Sequence, residues 1–222
     1  MSWTIEFPPD FNPQYASARG DSDETYQLYS KLRKTMNALI TKGIILLCAT
    51  SDKGCNETSR DIPEYPGAFG FHNPDILTIG SASSNGHRLG PAYTPVHFIF
   101  PGENVPLGPD LGEASGSSVA TAIASGMVAN IIFLVDLVNQ DRDRLGGQVV
   151  PRDKITTSTI AGAFKSLYGS PTHALEVSCF KQNGTQRETC EIDDFETKEG
   201  RLSCGGLAIA KRLLRRLKLV TD

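Results

Sequence analysis

Apolar residues in the first polar stretch of the chain recur three or four apart. Leu28, Leu32, Met36, Leu39 and Ile40 follow this spacing and predict a helix over 21–42. Asp21 with Glu24 resembles a capping box at its start, and Gly43 is the expected stop. "IILLCA", Ile44 to Ala49, follows at once. An uninterrupted apolar run of this length suits a strand buried on both faces of a parallel sheet. "DILTIGSAS" (Asp75 to Ser83) and "PVHFIFPG" (closed by Pro101 and Gly102) predict two further strands. Asp153 to Leu167 predicts another helix, with Ile155, Ile160, Phe164 and Leu167 facing the core. Strands alternating with helices argue for an α/β fold with a mainly parallel sheet. In such sheets sites gather at the carboxyl ends of strands. The turn-rich loop after "IILLCA" and the turn before Ser118 are both positions of that type.

The longest uncharged stretch is "ASGSSVATAIASGMVANIIFLV", Ala114 to Val135. Its length suffices to cross a bilayer. Its many serines, Thr121 and Asn130, with acidic flanks at Glu113 and Asp136, speak against a span. A buried helix fits better. Small residues (Val119, Ala120, Ala122, Ala124, Gly126) let its first half lie close to a neighbour, and the bulkier second half suits a core. An apolar helix of this kind is expected to be surrounded by protein. The serines at its head are open to two readings: helix caps, or a nucleophile placed where free N–H groups and the helix dipole stabilise an anion.

Twenty-two basic and 25 acidic residues leave a net charge of -3, which gives no electrostatic case for nucleic acid. The five cysteines (Cys48, Cys55, Cys179, Cys190, Cys204) lack CxxC spacing, so no zinc site is implied. Cys48, inside "IILLCA", reads as a buried thiol; the last three leave a disulfide open. "NET" and "NGT", at Asn56 and Asn183, fit the glycosylation pattern, which matters only in a secreted chain. The N-terminus has no signal-peptide pattern, which favours an intracellular chain. It reads as the end of a strand, which suggests that something upstream is missing. From Pro171 onward an acidic segment precedes "LAIAKRLLRRLKLV". That segment is read as a helix packing its leucines on the domain with its charges solvated, the alternative being a membrane-surface or partner-binding helix.

"GSSVATAIASG" resembles the nucleophile motif of the subtilases, the subtilisin-like serine peptidases, G-[TS]-S-x-A-x-x-x-x-x-G. Further elements match in the family's order. A helix ending at Gly43 precedes an apolar strand and the loop "ATSDKG". Tyr65-Pro66-Gly67 precedes "DILTIGSAS". Pro101-Gly102 precedes the serine turn, and "MSWT" looks like the cleft-wall strand M-S-L-G. The resemblance implies a three-layer, mainly parallel sheet with helices on both faces, subtilisin-like but incomplete. Residues 1–170 would be the C-terminal half of a peptidase domain, and 171–222 a C-terminal extension. It implies Ser118 as nucleophile, Asp52 at the oxyanion-hole position, and Ser2, Trp3 and Thr4 against a peptide or protein substrate. No cofactor is implied, and no carboxylate cluster at calcium-loop spacing is present.

The departures bear on activity. The family's triad Asp and His lie upstream of the M-S-L-G strand, where this chain starts. His72, His87, His97 and His173 match no histidine motif of the family and read as loop or strand residues. A serine hydroxyl without its imidazole is a poor nucleophile, so the chain alone is expected to be inactive, its partner being a missing N-terminal half-domain. Met1 then reads as an internal methionine of a longer frame. Asp52 replaces the oxyanion asparagine. An ionised carboxylate repels an oxyanion, and only a protonated one donates to it. Asp52 is therefore a working variant, a sign of decay, or simply a solvated turn residue. Ala122 in place of a proline and Thr4 in place of a glycine affect helix continuity and cleft shape. Two other functions stay open: a non-catalytic peptide-binding protein on the same half-domain, and an unrelated α/β domain in which "GSS" caps a helix.

Overall fold

The structure is a computed structural model that describes residues 5–7, 11, 24–50, 64–84, 88–89, 96–140, 151–167, 214–215 and 219. Three parallel strands form its centre: β2 (Leu46–Ala49), β4 (Ile76–Ala82) and β5 (Phe98–Pro101), in the spatial order β2-β4-β5. The register pairs Leu46 with Ile76 and Ile79 with Phe98, so β4 is hydrogen-bonded on both sides. Every residue of β4 is buried, as its near-continuous apolar sequence requires. Two short antiparallel pairs flank this sheet. β1 (Ile5–Glu6) pairs with β3 (Glu64–Tyr65), and β6 (Val105–Gly108) pairs with β7 (Gly112–Ala114).

The first helix, α1, spans Glu24–Thr41, inside the predicted 21–42; Asp21 of the expected capping box lies outside the described residues. It ends as the sequence predicts. Gly43 takes a φ of 74°, its N–H donates to Ile40 O, and Ile44 N–H reaches back to Leu39 O. This pair of bonds is the Schellman arrangement, which satisfies two otherwise orphaned carbonyls. The buried face differs from the expected one at its start. Tyr26, Tyr29, Leu32 and Met36 are buried, whereas Leu28 is 47% exposed. The tyrosines face inward because they join Phe7, Phe11, Tyr65 and Phe69 in a cluster of ring contacts, with centroids 4.5–5.8 Å apart. Burial pushes the Tyr65 hydroxyl up to about 12 and raises Tyr29.

The 24-residue helix α2 (Ser117–Gln140) lies across all three parallel strands. Among its buried positions, Ala120, Ala124, Val128, Ile131, Val135 and Val138 step by three or four and form one stripe, with Ser117 at its head and Leu137 beside its end also buried. Burying each of the larger aliphatic side chains contributes about 1.5–3 kcal/mol. The opposite side is open among the described residues: Ala122, Gly126 and Ala129 are exposed and Phe133 is 53% exposed. The expectation of a helix enclosed all round is therefore corrected to one packed on a single side. By length and composition alone α2 suffices to cross a membrane. Its polar residues are accommodated locally: Thr121 Oγ1 donates to Ser117 O at 2.7 Å and Ser125 Oγ to Thr121 O at 2.8 Å.

A last helix, α3 (Thr157–Leu167), starts after a short 3-10 turn at Arg152–Lys154. Thr156 caps it by accepting the Thr159 N–H at 3.3 Å. Ile155, Ile160 and Phe164 are buried as predicted; the side chain of Leu167 lies outside the described residues. Strand alternation separates two cores. Ile45, Leu47, Leu77, Ile79, Phe98 and Phe100 join α2 and α3 in one. Leu46, Cys48 and Ile76 join α1 and the aromatic cluster in the other. Leu214 and Leu219 are buried in the first core, so leucines of the C-terminal segment pack on the domain as expected.

Candidate functional site

The head of α2 sits at the carboxyl ends of the parallel strands, and three hydrogen bonds, two between backbone groups and one from a side chain, fix it there. Gly102, directly after β5, donates to Ala82 O at 3.0 Å, at the end of β4. Gly116 N–H donates to Gly102 O at 2.7 Å. Ser117 Oγ donates to Thr50 O at the end of β2. Small residues make this approach possible. A Cβ on Gly102 would lie 2.5 Å from Ser81 Cβ, 2.8 Å from Gly116 O and 3.2 Å from Ala120 Cβ. The run Gly80-Ser81-Ala82 in β4 and Ala120 and Ala124 in α2 leave the space that the tight turn needs.

These contacts decide what the serines do. The N-cap is Gly116, whose carbonyl accepts the Ala120 N–H at 3.2 Å, and Gly116 has a φ of 128°. Ser117 and Ser118 are therefore the first two helical residues, and neither is the cap. Ser115, the other serine in reach, is engaged elsewhere: its Oγ accepts the Asn104 N–H at 2.8 Å, which ties the turn to the β6–β7 hairpin. Ser117 is 2% exposed and serves as a structural tether. Ser118 is exposed, and among the described residues no side chain hydrogen-bonds its hydroxyl. Its own N–H is one of the first-turn amides, which lack a carbonyl four residues back and point out of the helix end, although the Val119 N–H leans back to Gly116 O at 3.1 Å. A glycine cap adds no side-chain acceptor to occupy them. The hydroxyl of Ser118 thus stands beside an anion-favouring helix terminus.

The other residues expected at the site fall differently. Asp52 lies outside the described residues, two positions beyond Thr50, whose carbonyl holds Ser117. Ser2, Trp3 and Thr4 also lie outside them; the residues that follow, Ile5 and Glu6, pair with Tyr65 and Glu64. His87 and His173 are likewise not described.

Two histidines are described, and both are at the amino end of the sheet. His72 is exposed and precedes β4. His97 precedes β5, five residues before Gly102, about 16 Å along an extended strand. The His97 ring is also committed: Nδ1 accepts the Thr78 N–H at 3.0 Å and lies 2.8 Å from Thr78 Oγ1. Desolvation, aided by the Lys165 charge, lowers its pKa from the ordinary 6.5.

Cys48 is a buried thiol, as expected, and burial pushes it up to about 12, so it has no nucleophilic character in the folded chain. No cluster of three or more His, Cys, Asp or Glu side chains suited to a metal occurs among the described residues. Among the elements that the sequence pattern did not predict, besides β3 and the 3-10 segment Gly67–Phe71, is the β6–β7 hairpin. Its signal was "GPDLG" between Val105 and Glu113, with Gly108 and Gly112 at φ 134° and 69°. No family model and no curated protein matches the chain.

Proposed function

We propose that this chain carries the nucleophile-bearing half of a subtilisin-like serine endopeptidase, on a three-layer α/β scaffold, with Ser118 as the nucleophile. The observation that carries this reading is the division of labour in the serine pair. Ser117 is buried and anchors the turn to Thr50, while Ser118 is exposed on the first turn of α2 with its amide available. In the proposed reaction Ser118 Oγ attacks a peptide carbonyl, and the Ser118 N–H donates to the oxygen that becomes negative. By the resemblance Asp52 would be the second oxyanion donor, a role it can fill only when protonated.

The proton on Ser118 Oγ has no described acceptor. His97 is spent on Thr78 at the other end of the sheet, and His72 shares that end. Loss of the imidazole from a triad of this kind costs roughly 10⁶-fold in rate. The base and its orienting carboxylate are therefore proposed to come from a further polypeptide segment. The 222-residue chain alone is expected to show no stoichiometric labelling of Ser118 by a fluorophosphonate probe, measured against Ser118→Ala. Full labelling of the unsupplemented chain would overturn the missing-base part of the proposal.

The same absence of a base among the described residues favours one second reading, a peptide-binding protein without catalysis. A longer polypeptide that adds the family's Asp and His turns separates the two. The peptidase reading predicts that Ser118 then reacts; the binding reading predicts that it stays unlabelled.

A further inference from the structure

His97 is not needed by the proposed chemistry, yet its ring and its backbone both make polar contacts with Thr78 of β4. Thr78, fully buried in β4, donates its backbone N–H to His97 Nδ1 at 3.0 Å. Thr78 Oγ1 lies 2.8 Å from the same nitrogen and accepts the His97 backbone N–H at 3.1 Å. The His97 N–H also donates to Thr78 O at 2.9 Å. Backbone and ring together thus close the first rung between β4 and β5.

A ring nitrogen that accepts from an amide must be unprotonated. The neutral ring has one acceptor nitrogen, here Nδ1, so the ring proton is on Nε2. We infer that His97 is a pH-sensitive latch, its neutral ring holding the start of β5 on β4 and proton uptake at Nδ1 releasing it. Once Nδ1 carries a proton, the Thr78 amide faces a donor instead of an acceptor. The Thr78 hydroxyl can turn to accept from the charged ring, but the amide cannot turn. The surroundings offer the charged ring no described counter-ion. β4 (Ile76–Ala82) and the 3-10 segment Gly67–Phe71 contain no titratable side chain, and α3 presents Lys165, of like charge. β5 runs from this rung to Gly102, whose carbonyl holds Gly116 and the Ser118 turn, so the latch lies on the strand that positions that turn.

The sign follows from proton binding. The folded state binds the His97 proton less readily than the unfolded chain. The latch's stabilisation is therefore present above the ordinary histidine pKa of about 6.5 and is lost as pH falls below it.

His97→Asn provides the test, because the Asn side-chain oxygen can accept from Thr78 without titrating. Urea unfolding of both proteins at pH 7.5 and 5.5 is expected to show a larger fall in midpoint for the parent than for His97→Asn. Hydrogen-exchange protection factors at Thr78 and Phe98 are expected to drop on acidification only in the parent. Equal pH dependence in the two proteins would overturn the latch. Should the variant fail to fold, an NMR titration of the parent decides: the His97 ring must titrate below 6.5, and a midpoint at or above that value contradicts the inference.

Discussion

Replacing Gly102 by alanine strikes the point where the sheet holds the head of α2. The added Cβ would lie 2.5 Å from Ser81 Cβ and 2.8 Å from Gly116 O. Neither neighbour is the far end of a flexible side chain, so the turn itself has to move. Overpacking of this kind costs about 1–3 kcal/mol. Displacing Gly116 also breaks its 2.7 Å bond to Gly102 O, worth roughly 1 kcal/mol. The smaller entropy of the unfolded alanine chain returns about 0.5 kcal/mol. The net loss is about 1.5–3.5 kcal/mol, or roughly 3–14 °C in Tm at about 2–4 °C per kcal/mol for a chain of this size. Gly126→Ala is the matched control. It lies in the same helix, is exposed, and an added Cβ there meets nothing within 4 Å. It is expected to stabilise by about 0.5–1 kcal/mol through helix propensity alone. Thermal and urea unfolding of both variants measure the contrast. If Gly102→Ala is as stable as the parent, the turn is not packed as described and the argument for a rigidly held Ser118 fails.

Ser117→Ala is expected to cost about 1–3 kcal/mol in urea unfolding, because the buried Thr50 carbonyl loses its donor. Ser118→Ala is expected to stay within about 0.5 kcal/mol of the parent; a loss near 1 kcal/mol would instead mark Ser118 as a cap. Phe164→Ala removes a fully buried ring that meets Phe98 and Phe100 at 5.2 and 5.1 Å. It should destabilise by about 3–5 kcal/mol, and a change under 1 kcal/mol would show that α3 does not pack on β5. Cys48 should resist iodoacetamide at pH 8 in the folded chain and react once urea unfolds it, as read by mass spectrometry of its peptide; rapid native labelling would contradict its burial.

Much of the framework was legible in the sequence where a local rule and the tertiary environment agree. α1 stops at Gly43 because only a left-handed residue closes that turn, and β4 reads as a central strand because both of its faces are buried. The register of α1 was harder to read. Aliphatic spacing pointed to Leu28, but the partners of that helix are aromatic, and a partner's chemistry is not written in the helix. The hairpin at 105–114 was hidden by Pro106 and by a bulge between Pro106 and Gly108, which blur strand alternation. The uncharged run around α2 signalled burial correctly on one side only, since small residues such as Ala122 and Gly126 are equally compatible with an open face. At the site, the spacing "GSS" singled out two serines, but telling tether from hydroxyl in the open required the position of Thr50.

On the proposed reading Ser118 stands where an anion is stabilised but not where a described group takes its proton. The most direct test of this reading is the thiol pKa of Ser118→Cys, obtained from the pH dependence of alkylation followed on its own peptide, with Ser125→Cys, exposed farther along α2, as reference. The thiol at position 118 is expected to titrate at about 7.5 or lower, well below the reference near 8.5. A thiol at position 118 that titrates no lower than the one at position 125 would contradict it.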